Sequence, residues 1–277
     1  MITSPRNERL KDIRRLARSK GHRALLEGPH LVTEALAAGI ALETVLATPE
    51  FLEGAEGRAL AGRLRQPPLE VAAAALESIA DADSPRGVAA VARLPRGGPE
   101  SLPSPAGGAA GLADVYLYAD GLQDPGNLGA LVRVAEAAGA AGLALGAGSV
   151  HPNHPRALRA SAGSLLRLPV AVAADPAGLD RRLGAAGPPR WLALVPRGGL
   201  DLWADGWEGE RGPGAPPLVL ALGAEGPGLS AAAAGRADGA VTIPLAPPVE
   251  SLNAVVAAAL VLFELRRRYG SSSPSSR

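Results

Sequence analysis

Near the amino terminus apolar residues fall every three to four positions, and Leu10, Ile13, Leu16 and Ala17 in RNERLKDIRRLARSKG predict an amphipathic helix. A second helix is predicted over HLVTEALAAG, with Gly39 placed to stop it as a left-handed C-terminal cap. Short apolar runs at residues 44–47 and 88–92 predict strands, so residues 1–93 read as a small α/β domain. Residues 94–112, LPRGGPESLPSPAGGAAGL, hold too much Gly, Pro and Ser to sustain a helix or strand and read as a linker. Beyond it, over residues 113–269, a short apolar run, a glycine-rich turn and a helix recur. The strand candidates are residues 115–119, 142–145, 168–172, 191–195, 218–222 and 240–243. None alternates cleanly, as expected of strands in a mainly parallel sheet covered on both faces by helices. An open α/β sheet takes its ligand at the carboxyl ends of its strands, and the unusual sequences lie there. The closing GSSSPSSR, residues 270–277, is low in complexity and reads as a disordered tail.

Aliphatic side chains must build these cores, because 47% of the residues are hydrophobic and only 3% are aromatic. A chain of 277 residues can fill one large domain or two modest ones. It has no cysteine, which excludes disulfides, thiolate zinc sites and a cysteine nucleophile. His151 and His154 share a short spacing, but the prolines of HPNHP break any helix that would present both rings, so no metal site is expected. The longest apolar run, residues 254–263, is about half of the ~20 residues that span a bilayer. No apolar leader opens the chain, so a soluble, cytoplasmic protein without a membrane partner is expected.

Net charge is only +1, yet residues 1–30 hold Arg6, Arg9, Lys11, Arg14, Arg15, Arg18, Lys20 and Arg23 against Glu8, Asp12 and Glu27. Such a local excess suits a polyanion such as RNA, through phosphate neutralisation and counterion release. Arg14, Arg15, Arg18 and Lys20, with Arg159 downstream, are the RNA-binding candidates. The plainer alternative is a solvated helix face.

Three motifs carry candidate chemistry. The first, DGLQDPGNLGALVRVAEAAGAAGL at residues 120–143, follows a strand directly. Pro125 and Gly126 force a turn, Asn127 is suited to cap the next helix, and Leu128, Leu131, Val132 and Ala135 form its buried stripe. Arg133 falls off that stripe and, alone, reads as a surface arginine. The second, LVLALGAEGPGLS at residues 218–230, runs a buried strand into three glycines, which let backbone approach a ligand and leave amides free to bind it. It is neither a dinucleotide G-x-G-x-x-G nor a P-loop. The third, VTIPLAPPVESLNAVVAAALVLFELRRR at residues 241–268, ends a strand at Pro244 and begins a long helix at Ser251 or Asn253. Leu252, Val255, Val256, Ala259, Leu260 and Phe263 of that helix read as mostly core. Ser251 alone would be a simple helix cap.

In this order, the three motifs resemble the signatures of the SpoU (TrmH-like) class of the SPOUT RNA methyltransferases. Those signatures are D-x-x-x-D-P-x-N-x-G-x-x-x-R, L-G-x-E-x-x-G-[LM] and I-P-M-x-x-x-x-x-S-L-N. The chain matches at Asp124, Pro125, Asn127, Gly129 and Arg133, at Gly223, Glu225, Gly228 and Leu229, and at Ile243, Pro244, Ser251, Leu252 and Asn253. Leu245 stands where methionine is usual, a volume-conserving swap. The likeness covers almost the whole chain. Residues 151–170 look like the family's segment linking sheet to knot, and residues 3–36 and 84–92 look like its L30e-like substrate-binding domain.

The resemblance implies an α/β domain with a deep trefoil knot, a rare exception to unknotted topology. It implies S-adenosylmethionine held mainly by backbone around Leu222, Gly223, Ile243, Pro244, Leu245 and Leu252, with no carboxylate offered to a ribose, and no metal or second cofactor. The reaction implied is methyl transfer to a ribose 2′-hydroxyl. Arg133 is the implied catalytic group, oriented by Asn127, Glu225, Ser251 and Asn253. A guanidinium scarcely deprotonates in proteins, so Arg133 is read as orienting the RNA phosphate and stabilising the developing alkoxide. Relatives are homodimers whose packed knots complete each other's sites, and the apolar faces of the third-motif and first-motif helices are candidate interfaces. Ribosomal RNA, 23S in particular, is the expected substrate. Transfer RNA is the alternative, although short tRNA-specific relatives usually lack a complete L30e-like domain. A non-catalytic RNA-binding SPOUT protein would have no need of Asn127, Arg133, Glu225 and the run Ser251, Leu252 and Asn253. A small-nucleotide enzyme would leave the basic N-terminal segment without purpose.

Overall fold

A computed structural model of the chain describes residues 1–16, 21–80, 86–107, 111–209, 211–212 and 214–270. Ala17, Arg18, Lys20 and the tail after residue 270 therefore lie outside the described residues. In chain order the elements are α1 (Glu8–Leu16), β1 (Arg23–Glu27), α2 (Pro29–Ala37), β2 (Leu42–Ala47), α3 (Pro49–Glu53), α4 (Ala55–Ala61), β3 (Leu69–Glu70), α5 (Ala73–Glu77) and β4 (Val88–Arg93). There follow β5 (Val115–Asp120), α6 (Pro125–Ala138), β6 (Gly142–Leu145), α7 (Pro155–Ala160), β7 (Val170–Ala171), α8 (Pro176–Leu183) and β8 (Arg190–Leu194). The last are β9 (Leu200–Asp201), β10 (Leu218–Gly223), α9 (Ala231–Arg236), β11 (Gly239–Thr242) and α10 (Ala254–Tyr269).

The chain divides into two units, Met1–Arg96 with His151–Arg167, and Gly97–Val150 with Leu168–Arg277. In the first, α1 buries Leu10 and Ile13, and its acidic start and basic end suit the helix dipole. Its four strands run in the order β1-β4-β2-β3, antiparallel except for the β2/β3 pair. Leu25, Leu46, Leu76 and Val91 fill the core beside them. Helix α7 packs on β1 in this same unit, so residues 151–167 are not simply a link from sheet to knot. Buried Asn153 accounts for this: it donates to Gly21 O at 2.9 Å and Leu94 O at 3.2 Å and accepts from Arg96 Nε at 3.0 Å. The Nδ1 atoms of His151 and His154 accept the backbone N–H groups of Asn153 and Arg156, so both rings cap local turns. Among the described residues no group of His, Asp or Glu could hold a metal ion.

The expected linker over residues 94–112 needs correction, because part of it is built into the second unit's core. Leu102, 1% exposed, packs with Tyr116 and Trp191. Arg182 Nε donates to Leu102 O at 2.9 Å, and the Tyr116 hydroxyl donates to Pro103 O at 3.0 Å. A Gly- and Pro-rich segment cannot form a strand, but its carbonyls can still be held by side chains.

The second unit is a seven-stranded sheet, every pair parallel, in the order β7-β6-β5-β10-β8-β11-β9. Central β5 is buried at every position and β10 at all but Gly223, which explains the missing alternation. The strand expected over residues 168–172 is shorter, Val170–Ala171, and the edge strand β9 was not expected at all. Helix α10 corrects the expected core, for Val256 and Phe263 are 48% and 46% exposed. Val255 is buried as expected, together with Ala258, Val261, Leu262 and Leu265. The run 254–263 is apolar all round, so its period does not reveal the inward face. The far end of α10 is fixed by Arg268, which donates to Glu264 at 2.7 Å and to Glu208 at 3.0 Å. Among the described residues no helix is long and apolar enough to cross a membrane.

Candidate active site

The carboxyl ends of β5, β10 and β11 deliver the three motifs to one place. At the first, Asp124 and not Asn127 caps α6, its Oδ1 accepting Asn127 N–H at 2.8 Å. That leaves the Asn127 side chain free to reach the second motif, where its Nδ2 donates to Glu225 Oε1 at 3.0 Å. Asn253 of the third motif donates from Nδ2 to the same Glu225 oxygen at 3.1 Å and to Asn127 Oδ1 at 3.3 Å. Its own Oδ1 accepts Val255 N–H at 2.9 Å, which makes Asn253 rather than Ser251 the cap of α10. The cap fixes which way the amide points and so commits its nitrogen to the carboxylate.

Gly223 permits the turn that carries Glu225. A Cβ there would lie 2.1 Å from the carbonyl carbon of Gly228, so only glycine lets residues 224–228 fold back on the end of β10. Buried Asp120, at the end of β5, accepts Ser230 N–H at 2.8 Å and ties this turn to the first motif. Sequence reasoning gave Asp120 no role, although it opens the first motif. The Tyr118 hydroxyl beside it is pushed up to about 12, by burial first and then by the Asp120 and Asp175 carboxylates, and donates to Ala174 O.

Between β8, β10, β11 and α10 lies a cleft of about 800 Å³. Five of the six expected cofactor residues, Leu222, Gly223, Ile243, Leu245 and Leu252, line it with Ser251 and Glu225. Pro244 lines a neighbouring cleft instead. Two carboxylates, Glu225 and Asp238, also belong to the wall of the main cleft. Asp238 stands just before the third motif and was not singled out. Its Oδ2 accepts Trp191 N–H at 2.7 Å, and Arg236 Nη1 donates to both of its oxygens at 3.1 Å. An apolar sleeve, glycine backbone and the Glu225 carboxylate form a setting fit for a ligand with an adenosine body and a cationic centre.

Arg133 is exposed on α6 and is not part of the cleft wall. Among the described residues it makes no hydrogen bond or ion pair. The RNA-binding candidates separate. Arg14 is a brace within its unit, donating to Ser78 O at 2.7 Å, Ser78 Oγ at 2.9 Å and Pro5 O at 3.2 Å. Arg159 Nη1 donates at 2.9 Å to Glu27, whose side chain is 1% exposed, and so clasps α7 to β1. Arg15 is turned to solvent, paired at 3.3 Å with exposed Asp12.

Residues 114–263 match the SpoU rRNA Methylase family, and residues 7–90 match the MRM3-like substrate binding domain. The chain is similar to an uncharacterized tRNA/rRNA methyltransferase of Synechocystis sp., 33% identical over 98% of this chain and 95% of the relative. It is also similar to the 23S rRNA (guanosine(2553)-2′-O)-methyltransferase RlmP of Bacillus subtilis, 30% identical over 96% of this chain and 98% of the relative. A crystal structure of an AdoMet-bound rRNA methyltransferase from Sinorhizobium meliloti shares its fold with a TM-score of 0.79 and 30% identity, over 96% of this chain and 97% of that one.

Proposed function

Because the chain belongs to the SpoU rRNA methylase family, we propose that it transfers the methyl group of S-adenosylmethionine to a ribose 2′-hydroxyl in 23S ribosomal RNA. The observation that carries this reading is the meeting of Asn127, Glu225 and Asn253 at the rim of a glycine-walled cleft. When bound, S-adenosylmethionine supplies an electrophilic methyl on a sulfonium. Leu222, Gly223, Ile243, Leu245 and Leu252 hold it, through backbone groups and apolar walls that exclude water. Glu225 sets negative charge on the wall, while the Asp238 carboxylate is already paired with Arg236.

A ribose hydroxyl is a weak nucleophile while protonated, so its surroundings must favour the alkoxide. Arg133 orients the neighbouring phosphate with its planar fork and stabilises the developing charge. Its part is donation from the guanidinium and not proton abstraction. Tyr118, pushed up to about 12, holds its proton. Asn127, Glu225, Asn253 and Ser251 hold the rim to which the ribose comes.

Arg133 lies outside the cleft wall of one chain, while α10, which packs on α6, turns Val256 and Phe263 outward. This apolar strip supports a homodimer in which Arg133 of a second copy reaches the cleft. The trefoil knot belongs to the same proposal, supported by the entry of β10 into the sheet between β5 and β8. In the first unit solvent-exposed Arg15 is the described side chain that supports RNA binding, and Arg18 and Lys20 lie outside the described residues. Action on bacterial ribosomal RNA, as in the Bacillus subtilis relative, supports a place in the cytoplasm. The test is to map 2′-O-methylated nucleotides in total RNA from a strain with and without this gene. One ribosomal position should lose its methyl group, and a loss confined to transfer RNA would overturn the substrate.

A further inference from the structure

Beside the main cleft lies a second one of about 610 Å³, and Pro196, Ile243 and Leu245 belong to the walls of both. One outer wall is the turn at residues 196–198, the other the loop at residues 244–250. The turn is pinned in place. Gly199 N donates to Thr242 Oγ1 at 2.9 Å, and Thr242 Oγ1 donates to Val195 O at 3.1 Å. A Cβ on Gly199 would fall 2.8 Å from the Ala240 backbone, so glycine is needed for the turn to lie against β11. Opposite it, Pro244, Pro247 and Pro248 present rigid apolar surfaces.

Among the residues of this wall only Arg197 and Glu250 carry charge, and they face each other, Nη2 to Oε1, at 3.1 Å. Their side chains are 74% and 80% exposed, and an exposed pair of this kind contributes little to stability, so it opens readily to another partner. Glu250 also stands three residues before Asn253 of the polar cluster, a reach of at most ~11 Å along extended chain. One nucleoside spans such a distance from its ribose to its base edge.

We propose that this second cleft seats the base of the target nucleotide and that Arg197 and Glu250 read its edge, with guanine the base that satisfies both. The proposal rests on the methyltransferase reading above. Guanine offers two adjacent N–H donors, N1 and N2, to the carboxylate and its O6 acceptor to the guanidinium. Adenine puts an acceptor at N1, against the carboxylate, and lacks O6.

The test uses the full-length protein saturated with S-adenosylhomocysteine and titrated with 5′-GMP and 5′-AMP, followed by NMR. Wild-type protein should prefer GMP by on the order of tenfold, the discrimination usual for one bidentate base contact. Arg197→Ala and Glu250→Gln should each abolish the preference and leave S-adenosylhomocysteine affinity unchanged. No preference in the wild type, or a preference that survives both substitutions, overturns the proposal. Variants that lose S-adenosylhomocysteine show these residues to be cofactor wall and overturn it as well. Failure of the wild type to bind S-adenosylhomocysteine would instead strike the methyltransferase reading itself.

Discussion

Asn127 and Glu225 stand 98 residues apart in the chain and meet at 3.0 Å, Nδ2 to Oε1. Asn253 closes on the same oxygen at 3.1 Å, so one carboxylate oxygen gathers two amides from two other motifs. A hydrogen bond to an ionised acceptor is about twice as strong as a neutral one. Glu225→Gln keeps an oxygen in place but removes the charge, a loss of roughly 1–2 kcal/mol. The single-turnover rate should fall on the order of tenfold, with S-adenosylmethionine affinity by calorimetry changing less. Equal loss in both would make the cluster a support of the cofactor loops rather than of the reacting rim.

Arg14 and Arg15 are neighbours with opposite roles. Arg14→Ala removes charged donors from Ser78 and should destabilise the protein by about 1.5–3 kcal/mol in urea unfolding. Arg15 is in a solvent-exposed pair worth ~0.2–1 kcal/mol, so Arg15→Ala should leave stability nearly unchanged. It should instead reduce the slope of log affinity for RNA against log salt by somewhat under ~1 unit. A smaller salt slope for Arg14→Ala, with unfolding unchanged, would refute the brace.

The elements legible in the sequence are those whose pattern has one reading. The buried stripe Leu128, Leu131, Val132 and Ala135 of α6 is fully buried, and Gly39 adopts the left-handed conformation after α2 with φ 69°. The all-parallel sheet follows from apolar runs without alternation. Helix α10 was half legible, because an all-apolar run conceals which side faces out. Asp124 and Asn127 both suit a cap, and only geometry shows that Asp124 takes it. Asp120, Asp238 and Asn153 were missed because each acts through backbone groups distant in sequence. No local period marks such a contact.

Glu264, 7% exposed, is held at about 2, chiefly by a hydrogen bond from Arg267 and further by Arg268, against the opposing effect of burial. Its folded pKa lies below the ordinary 4.5, so its stabilising contribution is present above about pH 4.5 and is lost as pH falls toward about 2. Glu264→Gln should therefore be less stable than wild type at pH 6, and the gap should narrow steadily through pH 4 and 3. Urea midpoints at these three values check the trend. A gap independent of pH would mean that Glu264 acts through packing alone.

Arg133 carries the most consequential assignment. It projects from α6 outside the cleft wall, so it contributes nothing there to holding the cofactor. Arg133→Ala should accordingly leave S-adenosylmethionine affinity nearly intact while turnover falls by roughly a hundredfold to a thousandfold, the usual cost of removing one well-placed stabilising donor. Arg133→Lys keeps the charge but loses the planar fork that grips a phosphate, so it should restore little. The dimer adds a sharper arm. If Arg133 serves the cleft of a second copy, mixing Arg133→Ala with a Glu225→Ala variant should regenerate one site that has both residues, and activity should rise above that of either variant alone. If Arg133 serves its own cleft, no site in the mixed dimer has both residues and no recovery is possible. Wild-type turnover by Arg133→Ala would return this arginine to the surface role that its position on the helix first suggested.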